Sequence, residues 1–373
     1  MAKWYLCTLK PLEDYFFGGE RVFDINPHDR KEKTERIDYL IRSERLPSQA
    51  TLLGMLRFLV LLNKKELNEN YRRADRDKQD RQNALIGARS FSMEGEEKQD
   101  YGQILELSPL FLLENRKKAG QSPELHHWIR TPANHKNGKS NYEPLKMTGP
   151  FFTERGEETL LPEGYDAKEG VADGYLDIDS DDLEIKDSYE IFSERIQTHI
   201  RKGAEQDGLF KKVSQSLDPR FRFAFFCCVK EEDTLPERET VFLGQGKSAF
   251  LFAREEVGSY GPEQFEDRIG RLPGQEGLQI CYALSGLYLS DDTAQKGLRF
   301  SYILKKNLRT LETKWGDNFL ESRRKSERYQ MVEAGSMFYY PEGLNSLQEA
   351  LKNDRLQQIG WNKIVVLGGK KNG

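Results

Sequence analysis

The sequence is poor in the residues that build cross-linked or metal-bound folds. It has four cysteines and five histidines among 373 residues. Cys227 and Cys228 are adjacent, and no two cysteines have the Cys-x-x-Cys spacing of a zinc site or a redox motif. We therefore expect reduced, buried thiols with no disulfide, no metal and no cofactor, as is usual for a cytoplasmic protein.

The chain also lacks a long apolar run. Its densest apolar stretch, residues 52–62, contains Arg57 and is shorter than the roughly 18 residues that span a bilayer. Residues 1–6 have neither the apolar core nor the cleavage site of a secretory signal. These features predict a cytoplasmic protein with no membrane contact.

Two candidate metal patterns do not meet the requirements of a site. Asp177, Asp179 and Asp181 alternate as in a calcium loop, but Asp182 stands where that loop needs glycine. The pattern there favours a solvated acidic turn. The histidines of residues 126–135 lack cysteine partners and a helical spacing, so this stretch is interpreted as a polar loop.

Residues 244–248, Gly-Gln-Gly-Lys-Ser, look like the end of a phosphate-binding loop. Val241 stands where such a loop has its first glycine, which argues against a nucleotide triphosphatase. Two interpretations stay open. The segment is either a glycine turn that presents Lys247 and Ser248 to a backbone phosphate, or a plain hairpin turn.

Charge is segregated along the chain. The formal net charge is −4, yet residues 154–190 contain 14 acidic and 3 basic residues, a net of −11. The remainder therefore carries +7, since −4 minus −11 is +7. A mildly basic body with an acidic insert is compatible with binding a polyanion, and equally with ordinary solvated surfaces.

Apolar patterning predicts the same order of elements in both halves. Residues 4–12 indicate an opening strand, Gly18 and Gly19 a turn, and a helix runs from Ser48 to about residue 65. The later predicted elements are strands at residues 103–113, 190–200, 222–230, 241–252, 335–340 and 363–367, and a helix at 344–358.

Strands and helices that recur in this order, with antiparallel hairpins between them, predict an α+β fold of two ferredoxin-like domains with long loop insertions. The first, residues 1–185, would carry the acidic segment at about 154–190. The second, residues 186–373, would carry the glycine loops. Open sheets of this architecture commonly bind RNA.

The start of the first helix is a candidate anion site. Pro47 suits a helix start, and Ser48, Gln49 and Thr51 lie beside amides that have no partner within the helix. An ordinary capped core helix is the alternative.

His199 is the main candidate for metal-independent RNA cleavage, as a general acid or base. Its position in the alternating pattern of residues 196–200 favours instead a side chain that lines a sheet. A stand-alone endoribonuclease therefore stays an alternative, and the chain is not predicted to be an enzyme.

Four segments together resemble the RAMP superfamily of CRISPR-associated proteins. Within it they are most similar to the subunit family that holds the 5′ handle of the guide RNA in type III-B (Cmr) effector complexes, the third Cmr subunit. The segments are residues 11–21 (PLEDYFFGGER), 47–57 (PSQATLLGMLR), 195–210 and 333–339 (EAGSMFY) with 360–363 (GWNK). The glycine loop at residue 360 is thinner than in many RAMP proteins, and the matches cover about a third of the chain. Corresponding type III-A and III-D subunits share much of the pattern.

The resemblance implies a non-catalytic scaffold in antiviral defence that binds the 5′ handle of the crRNA. Its implied partners are the large polymerase/cyclase-like Cas subunit and the backbone RAMP subunit of the filament. A purely structural adaptor that binds only proteins is a further alternative.

Affinity for such an RNA depends on phosphate contacts, and sequence is read from splayed bases. The predicted RNA-binding set includes two glycines that would let the RNA approach the backbone, five cations for phosphate contacts, the helix start and the turn serine. These residues are Gly18, Gly19, Arg21, Arg42, Arg45, Ser48, Gln49, Thr51, Lys247, Ser248 and Lys363.

Overall fold

Strands outnumber helices in the part of the chain that the structure describes. The computed structural model describes residues 2–25, 37–68, 76–116, 124–152, 156, 158–164, 168, 170–201, 208–244, 246–289, 301–303, 307–313, 325–340 and 345–368. Its strands are β1 Lys3–Pro11, β2 Phe17–Ile25, β3 Ile37–Glu44, β4 Ile104–Leu107, β5 Phe111–Arg116, β6 Glu124–Arg130, β7 Met147–Phe152, β8 Glu158–Pro162, β9 Gly174–Asp177, β10 Ile185–Asp187, β11 Phe192–Arg201, β12 Gly208–Leu217, β13 Phe221–Val229, β14 Arg238–Leu243, β15 Ser248–Glu256, β16 Gln279–Ala283, β17 Ser301–Ile303, β18 Asn307–Thr313, β19 Lys325–Val332, β20 Met337–Tyr340 and β21 Ile364–Leu367. Its helices are α1 Gln49–Asn63, α2 Arg76–Ile86, α3 Ser188–Ile191, α4 Pro262–Gly270, α5 Asn345–Ala350 and α6 Asp354–Gln358.

A nine-stranded central sheet organises the molecule. Its strand order is β10-β9-β6-β5-β13-β1-β15-β14, and β4 pairs with β13 beside β5. Cys7 and Leu9 of β1 point to the face that α1 covers and are fully buried. Thr8 and Lys10 alternate with them and therefore point to the opposite face.

Two sheets share one strand order. Numbered along the chain, β1, β5, β13 and β15 lie in the order 2-3-1-4, and all neighbours are antiparallel. The C-terminal sheet, β17-β20-β16-β21, repeats this order with antiparallel neighbours. Helix α1 lies between the first and second strands of one set, and α5 and α6 lie between the third and fourth strands of the other.

The central sheet takes strands from both sides of residue 185. β1 pairs with β13 and β15, which follow it by about two hundred residues. Ile185 itself begins the edge strand β10. The division into domains 1–185 and 186–373 stays a prediction.

A smaller four-stranded sheet lies beside the central one, and we call it the side sheet. Its order is β11-β12-β3-β2, in which β12 and β3 run parallel. A bridge between Tyr15 and Gln215 joins it to the end of β1. Two separate hairpins, β7–β8 and β18–β19, complete the strands.

Two local predictions need correction, while the opening strand and the first helix are confirmed. Gly18 and Gly19, predicted as a turn, lie inside β2, because β2 pairs with β3 and a bulge between Gly18 and Arg21 absorbs the irregularity. The predicted helix at 344–358 is two short helices. Asn353 begins the second one, since its side chain accepts a hydrogen bond from Leu356 N at 2.9 Å.

The core forms on both faces of the central sheet. One cluster fills the space between the sheet and α1, and another joins the opposite face to α4 and the C-terminal sheet. Phe265 and Ile269 place α4 in this second cluster. Within the described ranges, no helix is long and apolar enough to cross a membrane.

Candidate nucleic-acid interface

Three segments of the predicted RNA-binding set meet at the loop that follows β1. Tyr15 donates its hydroxyl hydrogen to the Arg45 carbonyl oxygen at 2.8 Å, and Phe17 N donates to Ser43 Oγ at 2.8 Å. Ser248 Oγ donates to the Asp14 carbonyl oxygen at 3.3 Å. We call the segments 14–19, 42–48, 244 and 246–248 the glycine corner.

Glycine is needed at this corner for close packing. Gly244 has φ of 75°, and a Cβ there would overlap the Phe16 carbonyl oxygen. At Gly18, by contrast, a Cβ would meet nothing within 4 Å. One glycine thus lets two chain segments touch, and the other leaves backbone open for a ligand to approach.

Cations surround the corner. Lys212 of β12 places Nζ 4.7 Å from the Phe16 ring centroid, and Arg195 of β11 lies 4.0 Å from the Asp14 carboxylate. Lys247 is exposed in the left-handed region at φ 51°. Over the part of the chain that the structure describes, Lys212 and Lys247 have no carboxylate within salt-bridge distance. These two charges are therefore available to an anion.

Arg42 and Arg45, in contrast, have protein partners. Arg42 lies 3.6 Å from Glu194, with both side chains exposed. Arg45 binds Asp173 at 2.6 Å, and the same carboxylate accepts from Arg130 at 2.9 Å. Arg130 also binds Glu333 at 2.8 Å, which links β6 to the turn before β20.

Electrostatics in this network are strong because it is partly buried. Burial alone would raise the pKa of Asp173, but the charge of Arg130 and the hydrogen bond from Arg45 outweigh burial and hold this pKa well below its usual range. Burial would likewise lower the pKa of Arg130, and the neighbouring acidic groups raise it instead. The network therefore stays ionised.

The helix start has mainly structural contacts. Ser48 Oγ accepts a hydrogen bond from Thr51 N at 3.2 Å. Ser48 therefore caps α1, as expected of an ordinary capped core helix. Gln49 is buried, and its Nε2 donates to the carbonyl oxygens of Ser108 at 3.0 Å and Gly360 at 3.4 Å.

The loop at Gly360 joins two of the resembling segments. Gly360 has φ of 86°, and a Cβ there would overlap both Gln49 and Ser108. Lys363, which follows this loop, binds Glu106 of β4 at 3.2 Å. Gln49 and Lys363 thus hold the C-terminal loop against α1 and β4.

Some predicted residues can be placed by backbone alone. Gly19 and Arg21 belong to β2, and Arg21 pairs with Ile41. His199 belongs to β11 and pairs with Phe210 of β12. The side chains of Arg21 and His199 lie outside the described part of the chain, so the predicted roles of both residues stay predictions.

The sequence interpretation missed a groove of about 1060 Å³ along the central sheet. Its lining combines both faces, because Thr8, Lys10 and Arg222 point away from α1, whereas Glu114 pairs with Phe221 on the side of α1. Its sequence signal is the pair of cations at Arg220 and Arg222. The charged lining residues are Lys10, Arg116, Lys186, Arg220, Arg222, Arg238, Glu114, Glu184 and Glu255.

Two histidine–aspartate pairs were also missed, and the interpretation of residues 126 and 127 as a polar loop is wrong. Both residues lie in strand β6, where His126 Nδ1 is 2.8 Å from Asp177 and His127 Nδ1 is 2.6 Å from Asp179. Asp177 is buried because β9 pairs with β6, whereas Asp181 and Asp182 are exposed in a turn, as predicted. Among the described residues, no three histidines, cysteines or carboxylates are grouped to hold a metal.

Comparisons with known proteins give matches to solved structures at low identity. No protein-family model and no curated protein matches the chain. It is similar to a chain in the cryo-EM structure of the type III-B Cmr-beta bound to cognate target RNA, with 14% identity, 96% of each chain covered and a TM-score of 0.46. The same Cmr-beta with cognate target RNA and AMPPnP, in state 1, gives 12% identity, 97% of this chain and 98% of that chain, and a TM-score of 0.46. The crystal structure of the Csm3-Csm4 subcomplex of a type III-A CRISPR-Cas interference complex gives 11% identity, coverage of 90% and 92%, and a TM-score of 0.33.

Proposed function

We propose that the chain is a non-catalytic RNA-binding subunit of a type III CRISPR-Cas effector complex of the III-B (Cmr) kind. It holds the 5′ handle of the crRNA and bridges the large polymerase/cyclase-like subunit to the backbone RAMP subunit in antiviral defence. The observation that carries this proposal is that three segments of the predicted RNA-binding set come together at the glycine corner.

The corner has the chemistry that a single-stranded RNA requires. Lys212 and Lys247 supply uncompensated positive charge, and phosphate neutralisation provides most of the affinity in such contacts. The open space at Gly18 lets a phosphate approach the β2 backbone. Arg195 adds a third cation on the neighbouring strand.

The fold is consistent with two ferredoxin-like halves. A ferredoxin-like unit is a βαββαβ chain. In its sheet, the two strands that a helix connects are not neighbours, because another strand lies between them. The 2-3-1-4 order of both strand sets has this arrangement. In the first set, β14 and a short 3₁₀ turn at Glu232–Thr234 lie where a second helix would be.

Fluorescence anisotropy with a labelled repeat-derived handle RNA tests the proposal. We expect Lys212→Glu with Lys247→Glu to weaken binding at least about tenfold, because two phosphate contacts become repulsive. The matched control is Arg89→Glu with Arg271→Glu, which changes net charge equally at exposed positions away from the corner. Equal affinity in the corner variant and the control would contradict the assignment.

The same sample tests the two alternatives. A handle RNA recovered intact after metal-free incubation supports a non-catalytic role, and a shortened product would indicate an endoribonuclease. Binding that does not change between about 50 and 200 mM salt would indicate no phosphate contacts, as expected of a purely structural adaptor.

A further inference from the structure

The face of the central sheet opposite α1 holds two like charges side by side. Lys10 and Arg222 lie one position beyond the paired residues Leu9 and Phe223, so their side chains stand on adjacent strands of the same face. Like charges directly opposite each other destabilise a sheet. Such a pair, kept in the lining of a large groove, is compensated if an anion binds there.

On one side of the groove the cations are paired with carboxylates, and on the other side they are not. Glu114 binds Arg116 at 2.8 Å and Lys186 at 3.3 Å, and Glu184 binds Arg116 at 2.7 Å. Six cations and three carboxylates line the groove, and two of the carboxylates are therefore already paired. The third, Glu255, stands at the register of Leu6, two pairs before Thr8 meets Ala253.

Three cations carry the uncompensated charge. Within the described ranges, Lys10, Arg222 and Arg238 have no carboxylate at salt-bridge distance. They lie on β1, β13 and β14, which span three strand spacings or about 14 Å. A single small anion cannot reach all three, whereas a chain of phosphates can.

The floor of the groove favours a backbone over bases. Between the cations lie Thr8, Leu251 and Ala253, which offer no aromatic ring for stacking. Phe221 is the aromatic residue of the lining, and Lys186 and Arg220 already lie over its ring, at 5.5 and 5.9 Å from the centroid. Nothing on this floor presents a flat surface to a splayed base.

We propose that this groove binds the phosphodiester backbone of a single-stranded nucleic acid, without reading its sequence, through Lys10, Arg222 and Arg238. This site is distinct from the proposed handle site, because Lys10 and Arg222 lie on the opposite face of the sheet from the ring of Tyr15, which packs against Phe223 and Phe250.

The test uses the full chain and a labelled single strand of about 15 nucleotides that contains no repeat sequence. We expect Lys10→Gln with Arg222→Gln to weaken binding about tenfold at low salt and to reduce the slope of log affinity against log salt by about 1.4, two contacts at about 0.7 each. Arg89→Gln with Arg271→Gln is the charge-matched control and should leave the slope unchanged.

RNA and DNA strands of the same sequence show whether the groove binds one type of nucleic acid or both. An equal loss for both supports recognition of the shared phosphodiester, and a loss for one alone supports the site and names its ligand. A slope unchanged in the groove variant for both strands overturns the proposal. The proposal is also overturned if a neutral morpholino strand of the same sequence competes for the site as strongly as the RNA does.

Two further experiments distinguish the result for the groove from the result for the handle site. The groove variant is repeated in the background of Lys212→Glu with Lys247→Glu, where the expected slope change is the same. If the double substitution impairs folding, as judged by circular dichroism, Arg238→Gln on the edge strand β14 replaces it, with about half the slope change.

Discussion

The cations of this protein fall into two populations that the sequence does not distinguish. Arg45 and Arg130 share Asp173 and tie distant strands together, whereas Lys212 and Lys247 at the glycine corner have no carboxylate within salt-bridge distance among the described residues. The buried pair contributes to the fold, and unpaired cations are available to a ligand. Partner geometry, more than the number of charges, therefore decides which cations are free to meet an anion.

The largest expected effect comes from replacing the buried cation of this comparison, Arg130. Arg130→Met removes a guanidinium that is 11% exposed and leaves Asp173 and Glu333 without it. We expect the free energy of unfolding to fall by about 2 kcal/mol, less than for a fully buried pair, because Asp173 is half exposed and keeps Arg45 as a partner. Urea unfolding measures the change, with Arg42→Met at an exposed pair as control. Equal effects of the two substitutions would contradict the distinction.

Acid should weaken the same network. The pKa of Asp173 is lowered in the folded state from the ordinary value of 3.8, so its ion pairs stabilise the protein above about pH 4. That stability is lost as pH falls below 4 towards the folded pKa. The urea midpoint should drop between about pH 4 and 2, and Asp173→Asn should show a smaller drop. An identical pH dependence in the variant would remove Asp173 from the account.

Charge reversal at a paired cation should disturb RNA binding less than at the unpaired ones. Arg42→Glu is expected to weaken handle RNA binding about threefold and to flatten its salt dependence, compared with about tenfold for the two lysines of the corner. Glu194 already neutralises part of the Arg42 charge, which is the reason for the difference. Anisotropy titrations at several salt concentrations compare the variants, and a larger loss at Arg42 would reverse the order.

The smallest expected effect is a gain in stability. Lys10→Gln removes one of two like charges on adjacent strands, so we expect the free energy of unfolding to rise by about 0.3 kcal/mol while affinity for a single strand falls. Replicate urea titrations detect a shift of this size, with Lys139→Gln, which lies in an exposed ion pair, as the control. A loss of stability would mean that Lys10 has a structural partner.

Local patterns predicted much of the fold. The alternation in residues 4–12 and the Pro47-Ser48 start identified β1 and α1, because both signals depend on neighbours in sequence. The pairing of β1 with β13 and β15 could not be predicted in this way, since it joins residues two hundred positions apart. Gly18 was misread for the same reason: its strand exists because of β3.

The candidate site was predictable in its segments but not in its contacts. The sequence pointed to residues 14–19, 42–48 and 244–248, which the fold brings together. It could not indicate that Arg45 is taken by Asp173, because that partner comes from the acidic insert. Nor could it indicate that Lys10 and Arg222 are neighbours, since a strand pairing decides that.

Photo-crosslinking of a thiouridine-substituted handle RNA to the full chain, followed by peptide mass spectrometry, tests the central claim most directly. We expect crosslinked peptides from the glycine corner and its flanking strands, residues 14–22, 208–217 and 244–254. Crosslinks confined to distant surfaces, such as residues 76–102, would contradict the assignment of the unpaired cations to RNA.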